Sequence, residues 1–503
     1  MSMNNNLIAP KNGLVELLNH LRGFVVATLA MAVLAIASSP ALAQDNSKIA
    51  VGRYALSGGL DSSFSGDGLA LLDIPTSTLE WASAVADEGN GQVVAAGFAT
   101  VAGREKFAVA RFTAGGALDA SFNGDGDSDG VVLTDFSFSS IIPGSQFGVF
   151  VSVSARATAV AIKNGKIVVA GKAYYLGSTK FALARYNGDG SLDTTFGNGG
   201  KLLTDFPGSA DEEARAIAIE TFSPYKIVVA GRGLKTGTYG SRDHFALARY
   251  NWINGSLDAT FDGESGSGNG MILTDIYAVG GGGEANAVAI GPNKKIVVAG
   301  FADSPTGDQF ALARYNWLDG KLDGTFGGAG FGKVLHNIPT SYYEQINAIA
   351  ITGSFSNTAT VRIIVAGSAH VGGRTQFALS SYKWDLGNRD TAFGSDGVVF
   401  TAFPGSTYDA AHAMTIDGSS RIVAAGAANI GSGSQWALAR YNANGSLDTT
   451  FDGVTGSGNG RVLTPFASNP VAVARAVAIV YKGTTNEKIV VAGSAGDLYP
   501  PIE

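Results

Sequence analysis

The fold is decided by a stretch that reads KIVVAG (166–171), FALARY (181–186), LDTTF (192–196) and KLLTDF (201–206). KIVVAG is apolar on both faces, the pattern of a strand covered from both sides. In FALARY, Phe181, Leu183 and Arg185 point one way and Ala182, Ala184 and Tyr186 the other, because side chains alternate along a strand. An alternating run precedes KIVVAG in each occurrence, as in ARAIAI (214–219). Four strands are therefore predicted per unit, in the order A (ARAIAI), B (KIVVAG), C (FALARY) and D (KLLTDF), with LDxxF as the C-to-D turn. No segment carries a capped helical period, so the chain is all-β.

The unit recurs seven times. KIVVAG is repeated at 226–231, 295–300 and 488–493, and near copies end at Gly97, Gly367 and Gly426. Repeats of this size stack into rings or solenoids. The ends favour a ring. KIAVGRY (48–54) matches KFAVARF (106–112), so the repeats begin at a C strand, and the last copy stops after a B strand at Gly493. The predicted architecture is a seven-bladed β-propeller whose N-terminal strands complete the C-terminal blade, forming one domain over 44–503.

Residues 1–43 read as a cleaved export signal. Lys11 and Arg22 precede an apolar run at 23–37, and Ala41-Leu42-Ala43 supplies the small-x-small site before Gln44. The product is expected to be periplasmic or secreted, with no membrane span in the mature chain. The chain has no cysteine and a formal net charge of −7, or about −8 without the leader. Disulfides and thiolate metal sites are excluded, and the acidic balance argues against nucleic acid, which needs a clustered basic surface. A monomer is expected.

The combination of FALARYN, GSLDTTFGNGGK and KIVVAG resembles the delta-60 repeat family of secreted bacterial proteins, from Lys48 to Gly493. One copy departs, with Ser380-Ser381 in place of Ala-Arg and Asn388-Arg389-Asp390 in place of Ser-Leu-Asp. The resemblance implies export and a propeller-like fold. It implies no substrate.

Positions that differ between copies are the candidates for a single site. The second position of the A strand holds Ser83, Thr158, Arg215, Asn286, Asn347, His412 and Arg475, all polar. Just before these stand Glu80, Glu212, Glu213, Glu284, Glu344 and Asp409, which are expected to gather with them around the mouth of a central channel. Crowded carboxylates, arginines and a histidine can bind a sugar or amine, or divide acid and base roles. His244 and His370 are added as ligand-binding candidates on the same face, where the B-to-C loops are expected to be long, above all 232–243. With His336 and His412 they complete the mature chain's histidines, and their spread over different blades gives no zinc set.

Three further signals are weighed. Asp125, Asp127 and Asp129 alternate like the start of a calcium loop, but the bidentate Glu is replaced by Phe136. Calcium is the one cofactor for which the sequence offers ligands. Gly126-x-Ser128-x-Gly130 has the spacing of a nucleophile elbow without the required strand and helix. Trp252, Trp317 and Trp384 could form a strip for stacking on sugars or could pack at the blade rim. The Asp of each LDxxF is read as a turn cap. The leading functional reading is a binding or scaffold module for an extracellular carbohydrate, envelope component or protein. The alternatives are a polymer hydrolase or lyase using His412 with Arg215 or Arg475, and a structural surface protein.

Overall fold

The computed structural model describes residues 47–496, apart from 142–147, 152, 238–239, 267, 278–280, 306, 329–330, 340, 454–457 and 467–470. The chain divides into Met1–Asp45 and Asn46–Glu503. The export segment expected at 1–43 lies outside the described residues.

The second unit is all-β and propeller-like, built from four-stranded antiparallel sheets in the predicted A-B-C-D order. In one sheet, Ala155–Lys163, Lys166–Tyr175, Ser178–Tyr186 and Lys201–Thr204 follow one another. The B strand is internal, which is why KIVVAG has no polar face: Ile167, Val168, Val169 and Ala170 are fully buried. The alternation in FALARY has a packing purpose. Phe181 and Leu183 of one sheet meet Ala246 and Ala248 of the next in a shared core, so a bulky face rests on a small one.

A twelve-stranded sheet consists of three such units joined by single parallel residue pairs, Thr375 with Tyr408 and Ser434 with Val471. Within it Lys48–Ala55 lies antiparallel to Lys488–Gly496, from Lys48 opposite Ala495 to Ala55 opposite Lys488. The A strands of successive sheets are neighbours, and the last, Val471–Val480, packs beside the first, Ser77–Asp87.

Two loop expectations change. The segment 232–243 is largely strand, because Lys226–Gly237 and Gly240–Asn251 continue pairing to Gly237 opposite Gly240. The longest interval between repeats contains an extra hairpin, Phe138–Ile141 with Gly148–Val151.

The three motifs meet in one buried cluster. The Asp193 carboxylate caps its turn by accepting the N–H and hydroxyl of Thr195 (3.2 and 2.7 Å). Its other oxygen takes Arg185 of FALARY and Lys166 of KIVVAG, both at 3.0 Å. Burial alone would raise its pKa, but these hydrogen bonds and charges hold it down at about 2. Arg185 lies over the Phe196 ring and donates to the backbone oxygens of Trp252 and Ile253 in the next repeat, so each cluster is also a clamp between sheets. Arg249, Arg314 and Arg440 do the same to Trp317, Trp384 and Leu56. Trp252, Trp317 and Trp384 accordingly pack over these arginines, with centroids 5.0–5.3 Å from the guanidinium carbons. Rim packing, not an open stacking strip, accounts for them. In the divergent copy Ser381 offers no guanidinium to the Asp390 carboxylate, and Arg362 from the KIVVAG position pairs with it instead.

A second join repeats around the rim. The Tyr of FALARY bonds the last D-strand residue of the preceding repeat, as in Tyr250 with Thr204 (2.7 Å) and Tyr54 with Thr464 (2.8 Å). His336 stands in for Thr and meets Tyr382 at 2.9 Å. Where the tyrosine is Phe112, the D-strand residue is Leu72, and the two share one apolar core.

Candidate functional site

The site begins with a bulge. In the A strand Ala157 pairs with Gly171 and Ala159 with Ala170, which leaves Thr158 as the extra residue. The same shift leaves Ser83, Arg215, Asn286, Asn347, His412 and Arg475 unpaired in their strands. The last residue of KIVVAG must be glycine for this to happen. A Cβ on Gly97, Gly171, Gly231, Gly300, Gly367, Gly426 or Gly493 would collide with a bulge carbonyl of the adjoining A strand. The signature glycine thus permits the bulge, and the bulge turns one variable side chain per repeat toward the axis.

These seven side chains line one cavity of about 310 Å³, together with Trp81, Phe98, Arg156, Lys172, Glu213 and Gln345. Glu284 borders it, 2.7 Å from Arg215. Opposite charges are interleaved on this side. Lys172 is 3.2 Å and Arg232 3.4 Å from Glu213, and Arg232 also holds Asp243 at 3.0 Å. Despite its burial, Glu213 is kept below the usual glutamate range by Arg215, Lys172 and Arg232. Glu284 is raised, by burial first, with Asp243 and Glu213 opposing the nearby arginines. Burial, then Asp303 and Glu284, push the adjoining Asp308 up to about 6.

On the opposite side Trp81 and Phe98 make an edge contact with centroids 4.4 Å apart. Arg475 lies over Trp81 at 4.7 Å and Arg156 over Phe98 at 4.3 Å. Arg156 pairs with Glu105. Burial, then the Arg475 charge, push His412 down to about 3, so its imidazole is neutral near pH 7.

Other sequence candidates stand elsewhere. Glu80, Glu344 and Asp409 are essentially unexposed and turn away from the mouth. Each accepts a backbone N–H from six residues earlier, Ile74 and Ile338 at 2.7 Å and Phe403 at 3.1 Å, tying down the D-to-A connection. Glu212 is buried beside Lys180 at 3.3 Å. The expectation that all these carboxylates crowd the mouth is corrected: Glu213 and Glu284 do so, and the others sit one residue out of phase on the opposite strand face. His244 lies outside the cavity lining with Nδ1 3.0 Å from the Arg242 oxygen, and His370 packs on Tyr342 at 4.5 Å. His336 is buried at a rim join. Asp125 and Asp129 accept the N–H groups of Leu133 (3.2 Å) and Val131 (2.7 Å), and Asp127 Oδ1 is 3.4 Å from the Asp129 nitrogen. Among the described residues no three His, Asp or Glu side chains are grouped to hold a metal.

Sequence reading missed Trp81, Arg156 and Gln345, although each stands two residues before its bulge, as Glu213 and Glu284 do. It also missed Phe98 and Lys172, which follow the signature glycine.

Four-stranded repeats whose bulge side chains share one polar cavity make an all-β, propeller-like fold. A family model described as "Domain of unknown function (DUF5122) beta-propeller" matches residues 88–122, 163–196, 226–261, 291–326 and 419–451, supporting a propeller-repeat family. No curated protein matches the chain. Solved structures resemble it at low identity. BamB from Moraxella catarrhalis is 11% identical with a TM-score of 0.38, covering 88% of this chain and 93% of its own. Sqt1 from Chaetomium thermophilum is 12% identical with a TM-score of 0.37, covering 84% and 97%. A PL25 ulvan lyase is 9% identical with a TM-score of 0.39, covering 90% and 96%. Among the described residues no helix is long and apolar enough to cross a membrane.

Proposed function

We propose that the protein is an exported binding module in which seven blades close into a ring and a saccharide of the cell surface or its surroundings is held over the mouth of the central cavity. The observation that carries this reading is the convergence of seven polar side chains of five types, one per repeat, on a single cavity. A residue serving only the fold would be the same in every copy, as the signature glycine is. Closure is supported by the pairing of Lys48–Ala55 with Lys488–Gly496 and by the Tyr54–Thr464 join. Export is supported by the leader at 1–43.

A hydrolase or lyase role for His412 is not favoured. With a pKa of about 3 it is a poor general base at neutral pH. Capture of polysaccharide and envelope fractions by the purified protein tests the binding reading. Asn286→Trp, which fills the cavity, is expected to abolish capture; undiminished capture by this folded variant contradicts the assignment.

A further inference from the structure

The ring of bulge side chains is hydrogen-bonded over part of its circumference and open over the rest. Thr158 donates to the Ala214 oxygen at 2.6 Å, Arg215 to Asn286 Oδ1 at 2.7 Å, Asn286 to the Ile346 oxygen at 2.8 Å and Asn347 to the Ala411 oxygen at 2.8 Å. Each bond reaches forward to the next repeat. His412, Arg475 and Ser83, which continue the series, make no such bond among the described residues. His412 Nε2 and Arg475 Nε are buried with no hydrogen-bond partner among the described residues.

Charge divides along the same line. On the bonded arc Lys172, Arg215 and Arg232 are balanced by Glu213, Glu284 and Asp243. Arg156, which stands on the Thr158 strand but lies over Phe98 beside the open arc, has Glu105, and Arg475 makes no ion pair among the described residues. Arg475 is partly exposed but its Nε is withdrawn from water without an acceptor, which is costly, and the planar fork of a guanidinium matches a carboxylate in two parallel hydrogen bonds. The cavity of about 310 Å³ has the volume of about ten waters at about 30 Å³ each, the scale of one or two sugar rings.

We propose that Ser83, Arg156, His412 and Arg475 form an oxyanion subsite for the carboxylate of an acidic sugar, deepening the mouth-binding reading on which it rests. Arg475 supplies the charge and the paired donors. His412, as a neutral imidazole, adds one N–H, and Ser83 adds a hydroxyl. Arg156 raises the local positive potential, and Trp81 holds the Arg475 guanidinium from one side.

Calorimetric titration with D-galacturonate, D-galactose and inorganic sulfate tests this. Galacturonate is expected to bind at least 10-fold more tightly than galactose. Arg475→Gln should remove that preference, weakening galacturonate 10-fold or more and galactose less than 2-fold. Arg475→Lys keeps the charge without the fork and should give an intermediate loss, which decides the matter if the Gln variant does not fold. Equal binding of the two sugars, no binding of either, or indifference to both variants overturns the subsite. Sulfate binding more tightly than galacturonate also overturns it, in favour of a free-oxyanion site. These failures are separable from failure of the broader reading. Polysaccharide capture that is lost in Asn286→Trp but intact in Arg475→Gln leaves the mouth as a binding site and removes only its acidic preference.

Discussion

Gly231 lies directly beneath the backbone oxygen of Glu213, with no room for a Cβ between them. Gly231→Ala must therefore displace the A-strand bulge or strain the sheet, at a cost of about 1–3 kcal/mol. The proper control is Gly237→Ala, where a Cβ meets open space. Urea denaturation is expected to show a clear loss for Gly231→Ala and near neutrality for Gly237→Ala. Equal effects would mean that the glycine is not retained for the bulge.

This relationship also marks where sequence reading succeeded and where it stopped. Strand order and repeat register were legible because KIVVAG is apolar on both faces and FALARY alternates bulky with small residues in almost every copy. The inward-facing position was legible because it alone varies among polar types. Its neighbours were not, because a bulge breaks the alternation. Glu80, Glu344 and Asp409 stand three residues before the bulge, whereas Glu213 and Glu284 stand two before it. That offset sends the first group to buried backbone N–H groups and the second to the cavity. The role of Asp258 and its equivalents was only half legible. The turn cap follows from local spacing, but the clamp on the next repeat depends on a partner some 70 residues away in the chain.

The rim join predicts a characteristic cycle. Tyr250→Phe removes a hydroxyl and should cost about 1 kcal/mol. Thr204→Val leaves the Tyr250 hydroxyl buried without its partner, at about 1–3 kcal/mol. The double variant should recover part of the loss, since Phe112 with Leu72 is an apolar solution of the same join. Strictly additive losses in thermal denaturation would contradict a direct Tyr–Thr coupling.

Asp308 gives a pH dependence of definite sign. Its carboxyl is raised to about 6 by burial and by Asp303 and Glu284. As pH climbs from about 4 through 6 the unfolded state ionises first, so this residue withdraws stability over that window. Asp308→Asn should raise the melting temperature at pH 7.5 and leave it nearly unchanged at pH 4. A benefit of the same size at both pH values would show that the raised carboxyl is not responsible.

Ring closure can be tested covalently because the chain has no cysteine of its own. Lys48 and Ala495 stand opposite each other in neighbouring antiparallel strands, within the usual span of a disulfide. Oxidation of Lys48→Cys/Ala495→Cys should yield an intramolecular cross-link, seen as a mobility shift reversed by reductant. Two free thiols in the folded, oxidised protein would count against the pairing.

The central claim, that ligand is held at the mouth, is most directly tested by blocking one face at a time. Ser83→Cys places a unique thiol in the cavity wall, and Ser62→Cys places one in an exposed C-to-D turn on the opposite face. Each is coupled to a maleimide polyethylene glycol, and capture of polysaccharide fractions is compared before and after labelling. Loss of at least 10-fold with the Ser83 label and little change with the Ser62 label is the predicted result. Capture that survives the Ser83 label, or is lost only with the Ser62 label, would contradict the account.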